Sequence, residues 1–135
     1  MTYTGVDITD ALFDLLQKRH PRQTFMVGDL EHLSLAPGFD LITMIDVTQH
    51  IVNDDQLRRM LMRLRSLLAK DGVLIVTFWN QQRPQENFHE TFRLFSFYTE
   101  TLEGMAHTQP VQFRDKFAAA FSHHGRRLEP LSPKF

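Results

Sequence analysis

One stretch of this chain constrains its fold more than any other: two apolar runs separated by a long amphipathic segment. Phe39 to Val47 is mostly apolar, the pattern of a strand buried on both faces. Leu57, Met60, Leu61, Leu64, Leu67 and Leu68 then share one helical stripe. Asn53 is placed to cap that helix, with Gln56 completing a capping box. Gly72, after Lys70-Asp71, suits the left-handed position that ends many helices. Val73 to Trp79 is a second apolar run. Strand, long helix and strand in this order call for a right-handed parallel crossover, so the class is α/β.

The flanking regions extend the alternation. Tyr3 to Ile8 reads as a short strand that meets a helix start at Thr9 or Asp10, both good N-caps. Ala11, Leu12, Leu15 and Leu16 fall on one face of that helix, which Pro21 ends. Thr24 to Val27 is a further strand, closed by Gly28-Asp29, and Pro37-Gly38 marks a turn. Beyond Asn80 the composition shifts. Gln81 to Gln85 is a polar loop, and most of the twelve phenylalanines follow it. Phe88, Phe92, Phe95 and Leu102, helped by Phe97 and Tyr98, fit an aromatic helix face. Val111 to Phe121 suits a helix by its phenylalanine spacing and a strand by its alternation. Residues 1–125 form one domain on this reading, and 126–135 a tail.

Composition removes several function classes. Fifteen basic and sixteen acidic residues leave a net charge of −1, which provides no global field for nucleic acid or an anionic membrane. The absence of cysteine excludes disulfides, thiol catalysis and cysteine-based metal sites. The histidines lack H-E-x-x-H spacing, so no metal site is expected. No G-x-S-x-G elbow or phosphate-binding P-loop is present. No signal sequence or membrane span is readable, and a cytoplasmic protein is expected. Arg58, Arg59, Arg63 and Arg65 lie off the apolar stripe and read as a solvated helix face.

Ligands of an open α/β sheet bind beyond the carboxyl ends of its strands. Those ends carry Asp7-Ile8-Thr9, Gly28-Asp29-Leu30, Asp46-Val47-Thr48-Gln49-His50 and Trp79-Asn80. Three successive strands thus deliver an aspartate to one rim. One carboxylate can accept both hydroxyls of a ribose, another the exocyclic amine of adenine, with Ile8 and Leu30 as apolar walls. Asp7 and Asp29 also suit ordinary turn and capping roles. His50 is placed either as a general base or as a loop residue before the Asn53 cap.

Tyr3-Thr4-Gly5-Val6-Asp7-Ile8-Thr9, Phe25 to Leu30, Phe39 to Ile42, Val47 to Ile51 and Leu67 to Val76 resemble, in order, the motifs of class I S-adenosylmethionine-dependent methyltransferases. The resemblance implies a Rossmann-like three-layer sandwich with a mostly parallel sheet. It also implies S-adenosylmethionine as cofactor and a small-molecule acceptor. On the same basis Asp7 holds the ribose, Ile8 flanks the adenine, and Asp29 and Leu30 receive its amine and ring nitrogen. Asp46 lies beside the methionine half and the acceptor.

The family opens with a strand and a G-x-G turn ahead of the segment that begins here, and the six glycines contain no G-x-G. A domain truncated at its first strand is therefore expected, with at best weak binding at the adenosine end. Open edges on the Tyr3–Ile8 and Phe39–Val47 strands would favour self-association or a partner chain. A non-catalytic remnant acting as an interaction module is the alternative. A nicotinamide dinucleotide enzyme is a third reading, but it also needs the glycine turn.

Overall fold

The structure, a computed structural model, describes residues 1–81, 89–123 and 128. The chain divides into two compact units, Met1–Leu35 and Ala36–Phe135. The expected loop around Arg83-Pro84, Phe88, His124 and nearly all of the 126–135 tail lie outside the described residues.

In the first unit, β1 (Thr4–Asp7) and β2 (Thr24–Val27) pair in parallel through α1 (Phe13–Arg19). Gly5 stands opposite Phe25, and a Cβ there would come within 2.9 Å of the Phe25 ring. Glycine is what lets that ring lie across β1, where Tyr3 and Phe13 pack on it at 6.0 and 5.6 Å between ring centres. The helix differs from expectation. It begins at Phe13, and no side chain caps it. Asp10 contributes only its carbonyl, accepting the Phe13 N–H at 2.9 Å. Thr9 is held by Asp7 instead. The partly buried face carries Phe13 and Leu16, whereas Leu12 and Leu15 are exposed.

The second unit contains the core. β3 (Phe39–Met44) runs parallel to β4 (Leu68–Phe78), joined by a short 3-10 turn (Thr48–His50) and α2 (Asp54–Leu67). Asn53 caps α2 as expected, its side-chain oxygen accepting the Gln56 N–H at 2.9 Å. Leu57, Met60, Leu61, Leu64 and Leu67 are buried along the stripe. The helix ends earlier than Gly72 suggests, because Leu68 is already extended. Gly72 lies inside β4, where the register with β3 shifts between Phe39 and Leu41. A Cβ at Gly72 would meet the Phe39 carbonyl at 2.6 Å, so the residue is small to admit backbone, not to turn a helix.

The carboxyl-terminal segments complete the sheet. β7 (Lys116–Ser122) lies antiparallel to β4, and β5 (Ala106–His107) and β6 (Val111–Phe113) lie antiparallel to β7. Residues 111–121 are therefore a strand hairpin turning at Arg114-Asp115, with Arg114 at φ 57°. Alternation, not the four-residue phenylalanine spacing, was the governing period.

The main sheet runs β3-β4-β7-β5. This order corrects the reading of β3 as a strand buried on both faces. As an edge strand paired only with β4 among the described residues, it leaves Asp40, Leu41 and Thr43 exposed. β4, paired on both sides, instead buries Leu74, Val76 and Phe78 completely.

α3 (Phe95–Thr101) is shorter than the aromatic pattern suggests, with Phe92 in the extended segment before it. Phe97 and Tyr98 are its buried residues. Of the α2 arginines, Arg59 is exposed as expected, but Arg58 and Arg65 are less solvated. Arg58 donates to Thr101 Oγ1 at 2.9 Å and lies over the Phe97 ring, and Arg65 donates to the Glu103 carbonyl at 2.9 Å. Their long side chains reach across to α3 and the turn after it, which sequence spacing alone could not show.

Candidate active site

Parallel pairing in the first unit puts Asp7 beside Val27, one residue short of Gly28, whose N–H continues the ladder onto the Asp7 carbonyl at 2.8 Å. Asp7 and Asp29 thus stand at the carboxyl ends of adjacent strands. Asp7 Oδ1 accepts the Thr9 N–H at 2.9 Å and its hydroxyl at 3.4 Å, and Oδ2 has no partner among the described residues. Asp29 Oδ1 accepts the Glu31 N–H at 2.8 Å, and Oδ2 lies 3.1 Å from His32 Nδ1. The Glu31 N–H bond, reinforced by His32, holds the Asp29 carboxyl below the usual carboxylate range. It is an ionised acceptor at neutral pH. Ile8 is 78% exposed, an apolar surface with no packing role in its own unit. These residues fit the adenosine end of the expected cofactor: two carboxylates for hydroxyls and an amine, with Ile8 and Leu30 as apolar neighbours.

The second unit gathers the other candidates after β3. Asp46 has φ 59°, a left-handed conformation unusual for a side-chain-bearing residue. Two strands hold it there. Its N–H donates to Thr77 Oγ1 of β4 at 2.9 Å, and its Oδ1 accepts from Lys116 Nζ of β7 at 2.8 Å. The bond to Asp46 raises the Lys116 pKa above the usual lysine value, so this ammonium stays charged. His50 closes the 3-10 turn, its ring more than half exposed, with Nδ1 3.9 Å from Glu90 Oε1. Gln49 Nε2 lies 3.4 Å from His50 Nε2, and the tautomer with the proton on Nδ1 suits both neighbours.

A buried cation sets the shape of that turn. Arg93, 4% exposed, donates to the carbonyls of Thr48, Ile51 and Val52 and, at 2.7 Å, to Asp54 Oδ1. Tyr98 adds a 3.1 Å bond to Thr48 Oγ1, which itself donates to the Thr77 carbonyl at 3.0 Å. Sequence reasoning missed Arg93, Glu90 and Lys116. A lone arginine within the aromatic run Phe92–Tyr98 was a readable sign of a buried cation. The pairing of Lys116 with Asp46 left no sequence signal. Among the described residues, no group of three or more His, Asp and Glu side chains is placed to hold a metal ion. Among them, too, no helix is long and apolar enough to cross a membrane.

The fold is that of S-adenosylmethionine-dependent methyltransferases. A crystal structure of one from Clostridium acetobutylicum superposes with a TM-score of 0.74 at 13% identity, covering 93% of this chain and 76% of that one. The N-methyltransferase NodS from Bradyrhizobium japonicum, solved with S-adenosyl-L-homocysteine, gives 0.72 at 19% identity, covering 90% of this chain and 66% of that one. The family model described as a methyltransferase domain matches residues 1–72, and the chain belongs to that family. A curated relative, the dTDP-4-amino-2,3,4,6-tetradeoxy-D-glucose N,N-dimethyltransferase of Saccharopolyspora spinosa, is 29% identical over 76 residues. The match spans 56% of this chain and 30% of that relative's length.

Proposed function

We propose that this chain carries out methyl transfer from S-adenosylmethionine to a small-molecule acceptor, in the cytoplasm. The observation that carries the reading is the pair Asp7 and Asp29 at neighbouring parallel strand ends, inside the segment that matches the family. S-adenosylmethionine, when bound, supplies an electrophilic methyl group on a sulfonium. Asp7 accepts the ribose hydroxyls, Asp29 and Leu30 receive the adenine edge, and Ile8 covers its face. Asp46 and His50 serve the methionine half and the acceptor, His50 as the base where the acceptor must lose a proton.

Titration calorimetry with S-adenosyl-L-homocysteine tests the cofactor end. Asp7→Ala should weaken binding by ~1.5–3 kcal/mol, the range for a hydrogen bond to a charged group. Unchanged affinity would return Asp7 to its turn with Thr9. His50→Ala should lower turnover by ~10²-fold or more with little effect on cofactor affinity. Self-association through the open edge of β3 also belongs to this reading, supported by the exposed Leu41, Ile45 and Val47. Light scattering that returns a monomer at all concentrations would remove it.

A further inference from the structure

β4 and β7 pair antiparallel up to Phe78 opposite Phe117, so Trp79 and Lys116 follow that pair at the same end of the sheet. β3 runs parallel to β4 and delivers Asp46 to that end, tied by its N–H to Thr77. Three adjacent strands therefore bring a carboxylate, an indole and an ammonium together. The Lys116 ammonium, 12% exposed, lies 2.8 Å from Asp46 Oδ1, 3.8 Å from Asp115 Oδ1 and 5.3 Å from the centre of the Trp79 ring. Trp79 packs on Phe92 with 5.3 Å between ring centres.

A carboxylate on one side and an aromatic face on the other is how proteins hold alkylammonium groups. Here the group so held is the chain's own. We propose that this rim is a seat for an amine: the methyl acceptor is an amine, bound as its ammonium between Asp46 and Trp79, and Lys116 fills the seat when no acceptor is present. The inference rests on the methyl-transfer reading and narrows its substrate class.

Charge decides against the opposite assignment, in which Lys116 would receive an anionic acceptor. Asp46 already meets the Lys116 charge, and Asp115 and Glu90 add further negative potential at the same ammonium. Among the described residues, an entering anion would meet Asp46, Asp115 and Glu90 around the Lys116 charge, whereas an entering ammonium exchanges like for like. Asp46, with 48% of its side chain exposed, is open to such an exchange. Before reaction the acceptor ammonium loses one proton to the His50 imidazole, the base of the proposed function, and Asp46 stays ionised. The nitrogen lone pair then forms the N–C bond to the methyl carbon. The electrons of the broken S–C bond stay on sulfur, and the positive charge passes from sulfur to nitrogen.

Trp79 is the chain's only tryptophan, so its fluorescence reports on this seat directly. The full chain and its Lys116→Met variant are titrated with cyclohexylammonium and, as the uncharged control, cyclohexanol. Lys116→Met should bind cyclohexylammonium at least tenfold more tightly than the wild type, with cyclohexanol unchanged. Adding Asp46→Asn should abolish the gain. Equal affinity in the two proteins, or the same response to cyclohexanol, overturns the proposal. Lys116→Gln, which keeps a polar head without the charge, gives the same comparison if Lys116→Met does not fold. The cofactor reading is judged separately by S-adenosyl-L-homocysteine titration. A chain that shows the ammonium gain without binding S-adenosyl-L-homocysteine keeps its amine seat and loses the methyl-transfer assignment. The converse result removes the amine seat alone.

Discussion

Residues 1–35 and residues 36–135 solve different problems. The first unit carries four of the cofactor candidates, Asp7, Ile8, Asp29 and Leu30, yet none of its residues is buried. Among the described residues, the second unit holds every buried side chain, from Met44 to Ser122. A two-stranded sheet with one short helix cannot bury enough apolar surface to be stable alone. In a five-stranded sheet packed with α2 and α3, the apolar side chains have partners on every side. The motif-rich segment is therefore the physically weaker one.

The largest effect that tests this contrast is a pair of matched truncations. Phe121→Ala, at a fully buried position on β7, should cost about 3–5 kcal/mol in urea denaturation. Phe25→Ala, at a half-buried position on β2, should cost no more than about 1 kcal/mol. If Phe25→Ala costs as much as Phe121→Ala, the contrast in stability between the two units is wrong. Hydrogen exchange sharpens the same point. The amides of β1 and β2 should exchange through local opening, well before those of β4 and β7, which should wait for global unfolding. Equal protection in both sheets would break the comparison.

Local chemistry decided what the sequence disclosed. The α2 stripe, the Asn53 cap and the strand Thr24–Val27 are each set by residues within a few positions of one another, and the parallel pairing of β3 with β4 follows from the helical crossover between them. They were legible. The strand ends named Asp7, Asp29, Asp46 and His50 as candidates by the same local reading. What depended on distant pairing was not legible. Which residues of Phe39–Met44 are exposed follows from the strand order, not from its own apolar run. Gly72 serves the Phe39 carbonyl, and Lys116 serves Asp46, across gaps that no periodicity spans. The Arg93 network joins a turn and a helix whose segments give no sign of each other.

Tyr98 extends the comparison to pH, because only the core unit has a buried phenol. Burial pushes its pKa up to about 12 from the ordinary value of 10.0. The folded state thus holds this proton more tightly than the unfolded chain. Its contribution is complete below pH 10 and is lost as pH rises towards 12. A shift of this size corresponds to ~2–3 kcal/mol. Thermal melts should show that loss in the wild type and not in Tyr98→Phe, which gives up its bond to Thr48 at every pH. The Lys116–Asp46 pair also weakens in alkali, as pH rises past the raised Lys116 pKa. Lys116→Met melts separate the two contributions.

The smallest effect tests the helix starts. Asn53 closes the first turn of α2 with its side chain, whereas α1 has Leu12 at its N-cap position and no side-chain cap. Asn53→Ala should therefore cost about 1 kcal/mol of stability, the usual loss for an N-cap. Asp10→Ala should change stability by less than about 0.5 kcal/mol, because Asp10 offers the helix only its carbonyl, which alanine keeps. Thr9→Ala should be similarly small, since its hydroxyl makes only a 3.4 Å contact with Asp7 and its N–H survives the change. Circular dichroism during urea denaturation reads all three. A loss of about 1 kcal/mol at Thr9 or Asp10 would mean that α1 starts earlier in solution and is capped as the sequence suggested. The first unit would then have a firmer helix than its exposed Leu12 and Leu15 imply.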